Sequence, residues 1–169
     1  MGYTFTVNDF HIEWSIADVA NICENRLELV FVNIEAEGEW KSKYVSEEHG
    51  KQWLDTTLKS ADFDDHQSFA KITDEERGDN NSLILYCDSR WAPPSCWFSE
   101  MVKSNPSITT ASLEYSEGNM CFVGSIEWVK STNTISETYR CEQDLTDDDW
   151  ILLGKDRCSD CSQFLCQCG

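Results

Sequence analysis

Four cysteines lie in the last twelve residues, in the pattern Cys158-x2-Cys161-x4-Cys166-x-Cys168. Thiolate sulfur is a soft ligand, and four of them complete the tetrahedral shell of a structural zinc site. The first pair has the C-x2-C spacing of half such a site. The closing C-x-C leaves one residue between ligands, and Cys141 is an alternative fourth ligand. The expectation is one structural zinc pinning this segment; without metal the same residues are a tail of free thiols. No helix is expected to begin at Cys158 or Cys161 and lower a thiol pKa, so a redox role is not expected there. Cys23, Cys87, Cys96, Cys121 and Cys141 are scattered. Of these, Cys23, Cys87 and Cys121 sit in apolar runs, where a thiol behaves as a small buried hydrophobe. Nine cysteines is an odd number. The N-terminal residues lack the basic and apolar regions of a secretory signal, so reduced thiols in a cytosol are expected rather than a disulfide framework.

Carboxylates are the second group that could act. The 169 residues hold 31 Asp and Glu against 13 Lys and Arg, a net charge of -18. Three blocks stand out: Asp62, Asp64 and Asp65; Asp74, Glu75 and Glu76; and Asp147, Asp148 and Asp149. This balance argues against direct nucleic-acid binding, which needs clustered Lys and Arg to displace counterions. It argues against anionic membranes for the same reason. It favours a basic partner. If the blocks converge on one rigid face, that face imitates the charge of a phosphate backbone; if they do not, they are solvated surface.

The common catalytic signatures are missing: G-x-G-x-x-G, G-x-x-x-x-G-K-[ST], H-E-x-x-H and G-x-S-x-G do not occur. The three histidines, His11, His49 and His66, have no Cys or Ser partner in the local sequence. No enzymatic role is expected; an enzyme here would need a Cys/His/Asp site assembled in space. No stretch supplies the roughly 20 apolar residues of a membrane helix. Gly2 and Thr6 match the loose myristoylation pattern, but Tyr3 to Phe10 reads as an edge strand.

The elements that must position these groups follow from periodicity and punctuation. Residues 3–12 are aromatic and β-branched and read as a strand, and residues 15–24 as a helix with Ser15 at its N-cap. Leu27, Leu29 and Phe31 alternate in a central strand over 25–33. A helix over 36–49 carries Trp40 and Tyr44 on one face and stops at Gly50. A strand over 52–58 follows, then an acidic loop over 60–81 with a short strand near 69–72. A buried strand over 82–87 leads to a helix over 94–104, opened by Pro93 and Pro94 and ended by Pro106. Strands over 108–115 and 119–129 are joined at Ser116-Glu117-Gly118, and another strand covers 133–141. Residues 142–149 are acidic, and Trp150 to Leu153 are a short apolar run.

Several stretches line up with one family. Asn21-Ile22-Cys23-Glu24-Asn25-Arg26-Leu27-Glu28-Leu29 resembles the N-W-C-x-N-x-L-x-[apolar] opening of the YubB-like ferredoxin-like domain of plasmid and phage proteins. His49-Gly50-Lys51-Gln52-Trp53 is similar to its W-G-T-K-W segment, and Leu85 to Pro94 to its F-D-T-x-W-S-P-P segment. Asn105-Pro106-Ser107-Ile108, Tyr115-Ser116-Glu117-Gly118 and Phe122-Val123-Gly124 echo its F-P-x-L, Y-x-E-x-G and F-x-G positions. Order is kept over residues 21–130, with Ile22 where the family prefers Trp and a shorter segment between the first two motifs. The resemblance implies no catalytic residues.

The expected fold is α+β: a ferredoxin-like βαββαβ core over 21–144 with extra strands, an N-terminal extension over 1–20 and an acidic, Cys-rich appendage over 145–169. The expected function is a non-enzymatic, phage- or plasmid-encoded inhibitor acting in the host cytoplasm. Its partner would be a basic host protein or ribonucleoprotein complex of the nucleic-acid-handling or defence kind, as in anti-CRISPR and anti-restriction proteins. It would be bound through the three acidic blocks. The alternative is a zinc-clipped accessory or regulatory protein whose charge serves solubility.

Overall fold

The computed structural model describes residues 3–7, 10–14, 22–56, 69–90 and 92–155, with side chains from residue 22 onward apart from Phe69. In chain order the elements are β1 (Tyr3–Val7), β2 (Phe10–Trp14), β3 (Ile22–Phe31), α1 (Ile34–Tyr44), β4 (Val45–Glu48), β5 (Lys51–Asp55), β6 (Phe69–Gly78), β7 (Ser82–Arg90), α2 (Ser95–Ser104), β8 (Ile108–Glu117), β9 (Phe122–Val129), β10 (Thr134–Cys141) and α3 (Asp147–Leu152). β1 and β2 form their own antiparallel pair. The other eight strands make one sheet in the order β10-β9-β8-β3-β7-β6-β5-β4, antiparallel at every step.

This corrects the expected ferredoxin-like βαββαβ core. Strand dominates, and the helices are short additions to one long antiparallel sheet. Two local misreadings account for most of the difference. The acidic stretch, read as a loop with only a short strand near 69–72, contains the ten-residue strand β6. The helix expected to reach residue 49 ends at Tyr44, and its tail is β4. His49 and Gly50 have positive φ of 52° and 70°. Two such residues suit a tight hairpin turn, and here they join β4 to β5 instead of capping a helix. The strand expected over 3–12 is two strands, and Ile22–Glu24 open β3 rather than close a helix.

β3 sets the two faces of the sheet. Cys23, Asn25, Leu27, Leu29 and Phe31 are buried, while Glu24, Arg26, Glu28 and Val30 between them are more exposed, the period-2 signature of a sheet covered on one side. Leu83, Leu85 and Cys87 of β7 and Ala111, Leu113 and Tyr115 of β8 extend the buried face through the register. α1 and α2 lie on it. Asn33 caps α1 by accepting from the Ala36 N–H at 2.9 Å. Trp97, Phe98, Met101 and Val102 are the buried stripe of α2. Trp40 of α1 donates its ring N–H to Met101 Sδ at 3.3 Å and packs 5.1 Å from Tyr44, which meets Trp97 edge-on at 5.9 Å. This aromatic layer joins the helices above the sheet.

β6 keeps its place under α1 through charge. A bulge at Thr73 shifts the alternation between Ile72 and Asp74. Downstream of it Glu75 and Arg77 face α1, while Asp74 and Glu76 take the opposite face. Lys41 of α1 reaches both carboxylate oxygens of Glu75 at 2.6 Å, and Arg77 lies 3.0 Å from Glu37.

Gly124 is required where it stands. A Cβ there would lie 2.4 Å from the Tyr115 ring and 2.6 Å from the Thr138 carbonyl. Tyr115 crosses β9 over this gap and donates its hydroxyl to Glu137 of β10 at 3.3 Å.

Candidate functional site

The face of the sheet turned away from α1 and α2 is where the charged side chains gather. The register sorts them into rows across the strands. One row runs Arg140, Val123, Ser116, Glu24, Asp88, Lys71. The next runs Thr138, Ser125, Glu114, Arg26, Tyr86, Asp74, and a third runs Ser136, Glu127, Ser112, Glu28, Ile84, Glu76. Seven carboxylates therefore stand in these three rows: Glu24, Glu28, Asp74, Glu76, Asp88, Glu114 and Glu127. Neighbouring rows are two residues apart, about 6.8 Å along the strand, and neighbouring strands are about 4.8 Å apart, so the charges form a two-dimensional array.

An open groove of about 820 Å³ runs over the first two rows, with Glu24, Arg26, Asp88 and Glu114 in its lining and Asp149 and Leu152 of α3 at one end. Its two arginines are committed. Arg26 lies 2.8 Å from Glu28 and 3.5 Å from Glu114. Arg140 makes a two-pronged contact with Asp149, at 2.6 and 3.0 Å. Glu24 has no cationic partner among the described residues and stands directly across from Asp88. Burial raises the pKa of Asp88 above the ordinary carboxylate value; Lys71 counters this and Glu24 adds to it. The uncompensated charge on the groove wall is negative, which suits guanidinium and ammonium groups.

The expected site residues divide. Asp74 and Glu76 lie on this face, and Asp147 and Asp148 are exposed in the first turn of α3. Glu75 points to the other side and pairs with Lys41. Asp149 is buried: it completes a capping box with Thr146 and holds Arg140. Asp62, Asp64 and Asp65, and the cysteines expected to hold zinc, Cys158, Cys161, Cys166 and Cys168, lie outside the described residues. Among the described residues, no three of His, Cys, Asp and Glu stand together as metal ligands. Glu24, Glu28, Asp88, Glu114 and Glu127 were missed, because each stands singly inside a strand. The signal was present in β3, where Glu24, Arg26 and Glu28 alternate with Asn25, Leu27 and Leu29.

The thiols read as buried hydrophobes are so: Cys23, Cys87 and Cys121 are at most 7% exposed. Burial pushes the pKa of Cys23 and of Cys87 up to about 12, which keeps both protonated at neutral pH and unreactive as nucleophiles. His49 is exposed, 3.8 Å from Glu48. No helix among the described residues is long and apolar enough to cross a membrane. No family model, curated protein or solved structure matches this chain.

Proposed function

We propose that this protein is a non-enzymatic acidic inhibitor that docks its open sheet face on the basic nucleic-acid-binding groove of a host nucleic-acid-handling or defence complex, in place of the nucleic acid. The observation that carries the reading is the array of seven carboxylates across β6, β7, β3, β8 and β9, laid out by register rather than by runs in the chain. The net charge of -18 gives that array a long reach toward a basic partner. The like-charged pair Glu24 and Asp88, directly opposed across two strands, costs stability, and a binding role accounts for its presence. The resemblance to proteins of mobile elements adds a phage or plasmid origin, and the target places its action in the host cytoplasm.

The test is competition. A partner captured from host lysate and identified by mass spectrometry should release this protein as salt rises and as DNA or RNA is added. Simultaneous binding of nucleic acid and this protein, or affinity unchanged between low and high salt, would overturn the reading.

A further inference from the structure

The two edges of the eight-stranded sheet are built differently. β4 is four residues long and continues directly from α1. Short, acidic edge strands of this kind resist further pairing. β10 is eight residues long, pairs along its full length with β9, and contains no Pro, Gly, Lys or bulge. Pro, Lys and bulges are features that usually blunt an edge; of charge, β10 carries only Glu137, which accepts from Tyr115, and Arg140, which is held by Asp149. Its side chains from Ser136 to Arg140 are all exposed, and among the described residues no strand pairs with its outer side.

The direction of its backbone groups follows from the neighbouring ladder. Lys130 donates its N–H to the Thr109 carbonyl at 3.0 Å, so it faces β8. By alternation Val129, Glu127, Ser125 and Val123 face β10. Their partners Thr134, Ser136, Thr138 and Arg140 therefore direct their backbone groups to β9, in keeping with the Thr138 carbonyl lying close against Gly124. The N–H and C=O groups of Ile135, Glu137 and Tyr139 point outward, and no strand among the described residues pairs with them.

We propose that this edge receives an extended segment of the partner as an added strand, and that the segment alternates basic and apolar residues. The proposal rests on the acidic-docking reading and extends it. On the open-face side an added side chain would stand beside Ser136 and Thr138, within reach of Glu127. On the other side it would stand beside Glu137, whose carboxylate is held by the Tyr115 hydroxyl, and Tyr139, which is 58% exposed with its ring 5.9 Å from that of Phe122. Main-chain hydrogen bonds supply affinity in such strand addition, and alternate side chains supply specificity. A second copy of the chain would offer the same backbone, but it would bring a further charge of -18 to an acidic surface.

The probe is a labelled peptide of alternating lysine and valine, about eight residues long, measured by fluorescence anisotropy against the intact protein. Its control has every backbone amide N-methylated, which keeps charge and side chains and removes the donors. The methylated peptide should bind at least about tenfold more weakly, since several main-chain hydrogen bonds are lost. On the protein, Glu137→Pro should weaken the unmodified peptide by a similar factor, while Glu137→Gln, which keeps the edge, should cost less than about threefold. The peptide comparison stands alone if Glu137→Pro does not fold. Equal binding of the two peptides would overturn the added strand and leave the acidic-docking reading intact. Discrimination between them without salt dependence would support the edge and count against the acidic reading. No binding of the unmodified peptide at low salt, or a dimer in sedimentation abolished by Glu137→Pro, would also overturn the proposal.

Discussion

Asp149 concentrates several jobs in one carboxylate. It accepts from the Thr146 N–H at 2.8 Å and the Thr146 hydroxyl at 2.7 Å, and it grips Arg140 of β10. It thereby fastens α3 to the sheet. The hydrogen bond from Arg140 is the main cause of its lowered pKa, about 2; burial opposes it and the Thr146 contacts assist. An unfolded Asp titrates near about 3.9. Because the folded value is lower, the stabilisation is complete above about pH 4 and is lost as pH falls through about 2. Asp149→Asn should be less stable than the parent in urea melts at neutral pH, and the difference should vanish on acidification through that window. A difference independent of pH would show that the charge of Asp149 is not what holds α3.

At the scale of elements, β6 shows where hydrophobic patterning stops being informative. Leu27, Leu29 and Phe31 announced β3 because its covered face is met by apolar helix residues. β6 meets α1 through Lys41–Glu75 and Glu37–Arg77, so Asp74-Glu75-Glu76-Arg77 reads as solvent in sequence and pairs as strand in space. The bulge at Thr73 hides the alternation further. The carboxylate face had the same obstacle: composition announced the charge, but Glu24, Asp88 and Glu114 become neighbours only through register. The buried cysteines and β7 to β10 were legible because alternation, Pro93-Pro94 and the Gly118 turn all agree there. The charged contact makes its own prediction. Glu37 has a side chain 2% exposed and Arg77 one 62% exposed. Arg77→Ala strands a buried carboxylate and should cost about 1–3 kcal/mol. In a Glu37→Gln background the same change should cost less than about 0.5 kcal/mol, as for an exposed side chain without a partner. Equal costs in both backgrounds in a double-mutant cycle would remove the ion pair from the account of how α1 sits on the sheet.

For the whole molecule, the open face sets stability against binding. Glu24 opposes Asp88 and adds to the rise in its pKa. Glu24→Gln should therefore stabilise the fold by about 0.2–1 kcal/mol and move the Asp88 titration to lower pH, read by NMR. The same substitution should slow association with a basic partner, because charges of this kind act chiefly on encounter. A variant that is more stable and associates as fast as the parent would show that this row of the face takes no part in docking.

The position of β3 also governs when the sheet can be completed during synthesis. β3 pairs with β7 on one side and with β8 on the other. Its first residue is Ile22, and the strand that closes its second side ends at Glu117. The ribosome must therefore deliver nearly a hundred further residues before the central strand is paired on both flanks. Pairings this distant in sequence close slowly. Until β8 emerges, Leu27 and Leu29 belong to a half-built sheet with a bare inner edge, the kind of nascent surface that chaperones cover.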